Sequence, residues 1–75
     1  METMKVESSN VKEFRYDSTL NILSIDFKGK GGISTYEYYD VPLKQWQHLH
    51  SYIGPYGSYT RKHLTGYKYK KVPRI

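Results

Sequence analysis

Cysteine is absent from the 75 residues, which excludes a disulfide framework and any thiolate metal site. Apolar runs are short, and none approaches the roughly 18 residues that a membrane-spanning helix needs. Met1 to Ser9, with Glu2, Lys5 and Glu7 among small polar residues, lacks the apolar stretch of a secretory signal. These absences point to a cytoplasmic domain without a membrane partner. A further absence concerns charge of one sign. All seven acidic side chains (Glu2, Glu7, Glu13, Asp17, Asp26, Glu37 and Asp40) precede Val41, and no carboxylate side chain follows it.

The formal net charge of +5 is therefore divided unevenly along the chain. Up to Asp40, five cations face seven acids; from Val41 onward Lys44, Arg61, Lys62, Lys68, Lys70, Lys71 and Arg74 stand unopposed. A block of that sign suits a polyanion or an acidic protein surface. The length allows one small domain, which buries only about 60% of its unfolded surface.

Residues 1–9 are polar and without pattern, so they read as a flexible leader ahead of a single domain over 10–75. Residues 11–17 alternate, Phe14 and Tyr16 against Glu13 and Arg15, as a half-buried strand does. Asp17-Ser18-Thr19 is a turn whose side chains bond their own backbone. Residues 21–28 form the clearest strand, with Leu23, Ile25 and Phe27 inward and Ser24, Asp26 and Lys28 outward. Lys28 to Gly32 reads as a flexible connection, and 33–39 as a third strand. Short connections favour an antiparallel meander.

At Val41-Pro42 the period changes, since the residue before proline avoids helical geometry and proline suits a helix start. Leu43, Trp46, Leu49 or His50, and Ile53 then trace an apolar stripe over a helix at 42–53, which Gly54-Pro55 ends. A shorter helix is expected at 57–64, with Tyr59 and Leu64 inward, and an extended or β tail at 67–72. The class is α+β: a three-stranded sheet packed on one helix, with Trp46 central to the contact.

No catalytic constellation emerges. His48 and His50 are two apart, about 200° around a helix, so they do not share a face, and His63 can approach only one of them. Serines lack the strand-to-helix elbow of a nucleophile, and Lys28–Gly32 does not open a helix as a phosphate loop does. Neither a metal nor a cofactor is expected, and no enzyme activity.

Nucleic-acid binding requires cations for phosphates and planar rings for unpaired bases. The tail of the chain offers both, in Lys44, Arg61, Lys62, Lys68, Lys70, Lys71 and Arg74 with Tyr56 and Tyr59. Tyr36, Tyr38, Tyr67 and Tyr69 are read as mainly structural, because aromatic rings dominate small cores. The open sheet face (Glu13, Arg15, Ser24, Asp26, Lys28, Thr35, Glu37) has mixed sign and repels phosphate as often as it attracts it. No helix offers an array of base-reading side chains for a major groove, which favours RNA over duplex DNA.

Several short motifs occur in a fixed order: Tyr16-Asp17, Leu23-x-Ile25-x-Phe27, Tyr36-x-Tyr38 followed by Val41-Pro42, Gly57-x-Tyr59 with Leu64, and Tyr67-x-Tyr69. In that order they resemble the KTSC domain, over roughly residues 8–72. The family occurs alone in bacterial and phage proteins and at the C-terminus of some lysyl-tRNA synthetases. The chain departs from it at Tyr59-Thr60-Arg61, where an aromatic pair and an asparagine are usual, and over Tyr52 to Tyr56. The resemblance implies an RNA-binding role in a bacterial cell or phage-infected host. The competing expectation is a protein-interaction module or small inhibitor that docks on an acidic partner through Tyr39, Tyr52, Tyr56 and Tyr59, since tyrosine is enriched at interface hot spots.

Overall fold

Five strands rather than three make the sheet of the computed structural model, which describes residues 1–73. In chain order the elements are β1 (Glu2–Lys5), β2 (Val11–Asp17), β3 (Ile22–Gly29), β4 (Gly32–Tyr38), α1 (Leu43–Ser51), α2 (Tyr56–His63) and β5 (Tyr69–Val72). The sheet order follows the chain, β1-β2-β3-β4-β5, and every pair is antiparallel. The α+β class holds. Both additional strands lie at the edges, one from the expected leader and one from the expected tail.

The leader is not loose. Met4 pairs with Phe14 and Glu2 with Tyr16, so β1 extends the sheet beyond β2. Between β3 and β4 the expected flexible connection is a tight hairpin, with Gly29 paired to Gly32 around Lys30-Gly31. Gly32, at φ 117, takes a backbone conformation that L side chains rarely adopt. The Asp17 turn forms as its residues dictate: its Oδ1 accepts from the N–H groups of Thr19 (2.9 Å) and Leu20 (3.2 Å).

Directly paired residues point to the same side of a sheet. Phe14, Tyr16, Leu23, Ile25, Tyr36 and Tyr38 therefore share the inner face, which the helices cover. Asp40, at φ 57, makes the corner from β4 into α1. Pro42 caps that helix from just outside, and its carbonyl accepts from Gln45 at 2.9 Å. Trp46 is central as expected, 2% exposed and stacked on Tyr16 at 5.4 Å and 13°. The Tyr16 hydroxyl donates to the Val41 carbonyl at 2.6 Å, tying β2 to the corner.

The first helix stops two residues short of the expected end. The Ser51 hydroxyl donates to the His48 carbonyl at 2.9 Å, and Tyr52 turns extended. There its ring meets Tyr59 at 4.8 Å instead of continuing the helix. Ile53, expected on the buried stripe, is left 96% exposed. The second helix lies one residue earlier than expected, with Tyr59 and Leu64 fully buried. No helix among the described residues is long and apolar enough to cross a membrane.

Candidate nucleic-acid interface

The helices cover the inner face over β2 and β3 but leave its β4–β5 side open. A groove of about 460 Å³ remains there. Its floor is aromatic: Phe27, Tyr36, Tyr38 and Tyr69. Its other wall is Thr60, Arg61, Leu64 and Thr65, from α2 and the turn that follows it. Among the described residues no carboxylate lines it, and Arg61 is the cation that does.

The floor rings are packed in series. Phe27 meets Tyr36 edge-on at 5.6 Å, Tyr36 lies 5.9 Å from Tyr69, and Tyr69 lies 5.5 Å from Tyr38. Burial raises the Tyr38 phenol above its ordinary pKa, with Tyr69 and Tyr36 adding to the effect. Tyr69 differs from the others in being 61% exposed, since β5 lies beyond the reach of the helices. Lys71 pairs with Tyr36 and so stands on this same face, one strand further out.

The remaining predicted cations do not all converge. Lys70 pairs with Glu37 and projects from the outer face of the sheet. Lys68 precedes it by two, where strand alternation gives the same side, and its carbonyl accepts from the Tyr39 N–H at 2.9 Å. Lys62 follows Arg61 on α2, about 100° further round the axis. Lys44 lies in the first turn of α1, on a different element from the groove. All of these are exposed. Arg74 falls outside the described residues. Among the described residues, Arg61 and Lys71 are thus the cations the fold brings to the tyrosines.

Of the two predicted tyrosines, Tyr59 must be corrected. It has no exposed surface, so its ring belongs to the core and is closed to a base. Its hydroxyl accepts from Gln45 Nε2 and lies 2.8 Å from His48 Nδ1. Burial raises the phenol above its ordinary pKa, while the Gln45 bond works the other way. Tyr56 is half-buried, packed on Phe14 at 5.7 Å and on Tyr52 at 6.0 Å. Phe27 and Tyr36 pack against the core as expected, and with the exposed Tyr69 they also form the floor of the groove. A legible signal existed: Tyr36-x-Tyr38 and Tyr69-x-Lys71 have the same period, as paired strands require.

His48 and His63 approach with ring centroids 5.1 Å apart, whereas His50 packs edge-on against Trp46 at 4.5 Å. Among the described residues, no three of His, Cys, Asp and Glu gather as a metal-binding set.

The outer face is electrostatically closed on itself. Arg15 donates to both Asp26 oxygens at 2.8 and 2.9 Å and to Glu13 at 2.7 Å. The Thr35 hydroxyl donates to Asp26 at 2.7 Å, and Asp26 has no exposed surface. The bond to Asp26 raises the Arg15 pKa beyond its already high value. Asp26, expected on the open sheet face, is the buried centre of a charged network there.

Comparison with known proteins places this fold among relatives. The model of a family described as the KTSC domain matches residues 7–69. A lysine–tRNA ligase from Trichormus variabilis is 36% identical over 70 residues, 92% of this chain. The chain spans 12% of that ligase's length. The crystal structure of a KTSC domain protein from Yersinia pestis matches with a TM-score of 0.80 at 26% identity, covering 96% of this chain and 97% of that one.

Proposed function

The chain belongs to the KTSC domain family, and from that premise we propose that it is a small non-catalytic module that binds nucleic acid, RNA ahead of DNA. The observation that carries the reading is the segregation of charge: seven cations and no acid from Val41 onward. Glu13 and Asp26 are engaged by Arg15 on the outer face, away from Lys71, which stands on the inner face opposite Tyr36. The likeness to a ligase named for tRNA supports RNA as the polyanion.

The split of the cations between faces reduces the number that one strand can touch at once to about three or four. For single strands, the logarithm of affinity falls by about 0.7 per phosphate contact for each tenfold rise in salt. Raising salt from about 50 to about 200 mM should therefore weaken binding about 20- to 50-fold. Fluorescence anisotropy with a labelled RNA across that range tests the reading. Absence of binding at the low-salt end ends it.

One observation favours a second reading, docking on an acidic protein. Ile53 stands 96% exposed in the α1–α2 connection beside the half-buried Tyr52. In capture from nuclease-treated lysate, that reading expects a stoichiometric protein band that Ile53→Ser abolishes. Loss of all bound material after nuclease favours RNA.

A further inference from the structure

We infer that the groove between α2 and the β4–β5 side of the sheet seats an unpaired nucleobase, with Tyr69 as the stacking ring and Arg61 serving the attached phosphate. The inference rests on the nucleic-acid reading above and gives it a location. A core needs its rings covered, yet Tyr69 leaves 61% of its surface in water while in ring contact with Tyr36 and Tyr38. Its neighbours hold it: β5 pairs with β4 along Thr35 to Tyr38, so the exposed ring sits on a braced strand and not on a free tail. A preorganised ring loses little freedom when a planar partner stacks on it.

The lining decides the chemistry of the occupant. Ring faces and aliphatic surface favour a planar apolar group; the Ser34 and Thr65 hydroxyls offer donors and acceptors to its edge, and Thr60, whose hydroxyl donates to the Gly57 carbonyl at 2.8 Å, offers an acceptor. The one charged group among the described lining residues is the Arg61 guanidinium, which grips phosphate bidentately and also stacks on rings. Lys71, on the same face opposite Tyr36, gives a second cation for the next phosphate. A planar ring joined to an anion matches that set, and a nucleotide is such a ligand. The volume of about 460 Å³ lies within the 300–1,000 Å³ usual for ligand clefts.

Bases inside a duplex are stacked on one another and cannot enter, so the groove selects single strands. The test is anisotropy with a labelled unstructured RNA and the same strand annealed to its complement. The proteins are wild type, Tyr69→Ala, Tyr69→Phe, Arg61→Ala and, as an outer-face control, Lys70→Ala. Wild type should prefer the single strand. Tyr69→Ala should weaken that binding by about 5- to 150-fold, the effect of one lost stacking contact. Tyr69→Phe should retain it, and Arg61→Ala should lose more than Lys70→Ala. Circular dichroism checks that each variant is folded, which the exposure of Tyr69 favours.

Single-strand binding that Tyr69→Ala and Arg61→Ala leave intact, or equal affinity for the duplex, overturns the groove assignment and leaves the RNA reading standing. No binding by wild type at low salt overturns both. Groove-dependent binding of a labelled acidic, tyrosine-containing peptide in the absence of any RNA binding would transfer the site to a protein partner.

Discussion

Replacing Arg15 by methionine tests whether the outer face holds a structural charge network or an ordinary surface bridge. The substitution removes both guanidinium bonds, 2.8 and 2.9 Å long, from a carboxylate with no exposed surface. An exposed pair is worth about 0–1 kcal/mol, because water replaces the lost partner. Asp26 has no such access, so the loss should approach the 3–5 kcal/mol typical of a broken buried pair, about 3 or more. A domain of this size has only about 4–11 kcal/mol in total. Arg15→Met should therefore unfold easily, with a urea midpoint lower by about 3 M at a slope of about 1 kcal/mol/M. Asp26→Asn should cost less, because the Arg15 side chain is 24% exposed and still reaches Glu13 at 2.7 Å. Pairing Arg15→Met with Asp26→Leu removes the buried ion pair and should restore part of the loss, since the buried Thr35 hydroxyl is then left without its acceptor. Trp46 fluorescence follows the unfolding, since it is the one tryptophan and sits in the core. A loss under about 1 kcal/mol for Arg15→Met would class the pair with ordinary surface bridges.

Tyr16→Phe keeps the ring on Trp46 but leaves the Val41 carbonyl without its 2.6 Å donor in a buried setting. Thermal unfolding should show a loss of about 1–3 kcal/mol; an unchanged midpoint would mean that water reaches the carbonyl. A pH titration tests the buried phenols. Burial raises the pKa of Tyr16 and of Tyr59 above the ordinary value of 10.0, so the folded state holds protons that the unfolded state releases. Their contribution is therefore intact below pH 10 and is lost as pH rises through the folded values. Absorbance at the phenolate band should show these two ionising only as Trp46 fluorescence reports unfolding, whereas ionisation of all nine tyrosines before unfolding would contradict their burial.

Strands with alternating apolar residues were legible because the sheet buries one face, so Phe14-x-Tyr16 and Leu23-x-Ile25 announce their own side. The first strand was not. Of Glu2-Thr3-Met4-Lys5 only Met4 packs against the core, and pairing with β2 supplies what its own residues do not. The burial of Asp26 was illegible for a related reason. Its outward position is correct, but register sets Arg15 against Ser24, from where the guanidinium crosses diagonally to Asp26. A single chain segment does not carry that register. Ile53 illustrates the limit of periodicity: its spacing from Trp46 and Leu49 is helical, yet a hydroxyl at Ser51 and a ring contact at Tyr52 end the helix first. The candidate site suffered most, because a tyrosine's type does not say whether a helix will lie over it. Tyr59 and Tyr69 are ten apart in the chain and opposite in exposure, fully buried against 61% exposed.

The segregation of charge along the chain is carried into space only in part, and the last strand divides it. Glu13, Asp26 and Glu37 occupy outward positions on three consecutive strands, where Arg15 and the Tyr39 hydroxyl engage them. Strand alternation keeps those acids away from the groove whatever the helices do. On β5 the same alternation divides two adjacent lysines: Lys70 meets the face of Glu37, and Lys71 that of Tyr36. A slip of one residue would exchange them and turn Tyr69 outward, away from Tyr36 and Tyr38. The backbone guards against this at the entry to the strand. Tyr39 donates to the Lys68 carbonyl at 2.9 Å, and Tyr67 donates to the Leu64 carbonyl at 3.2 Å where α2 ends. Leu64 is fully buried and also lines the groove, so the residue that anchors the second helix in the core helps set which face the tyrosines of the final strand present. Core packing and the composition of the groove are therefore coupled through one short connection, residues 64–68, which makes the edge strand part of the groove and not an appendage to the sheet.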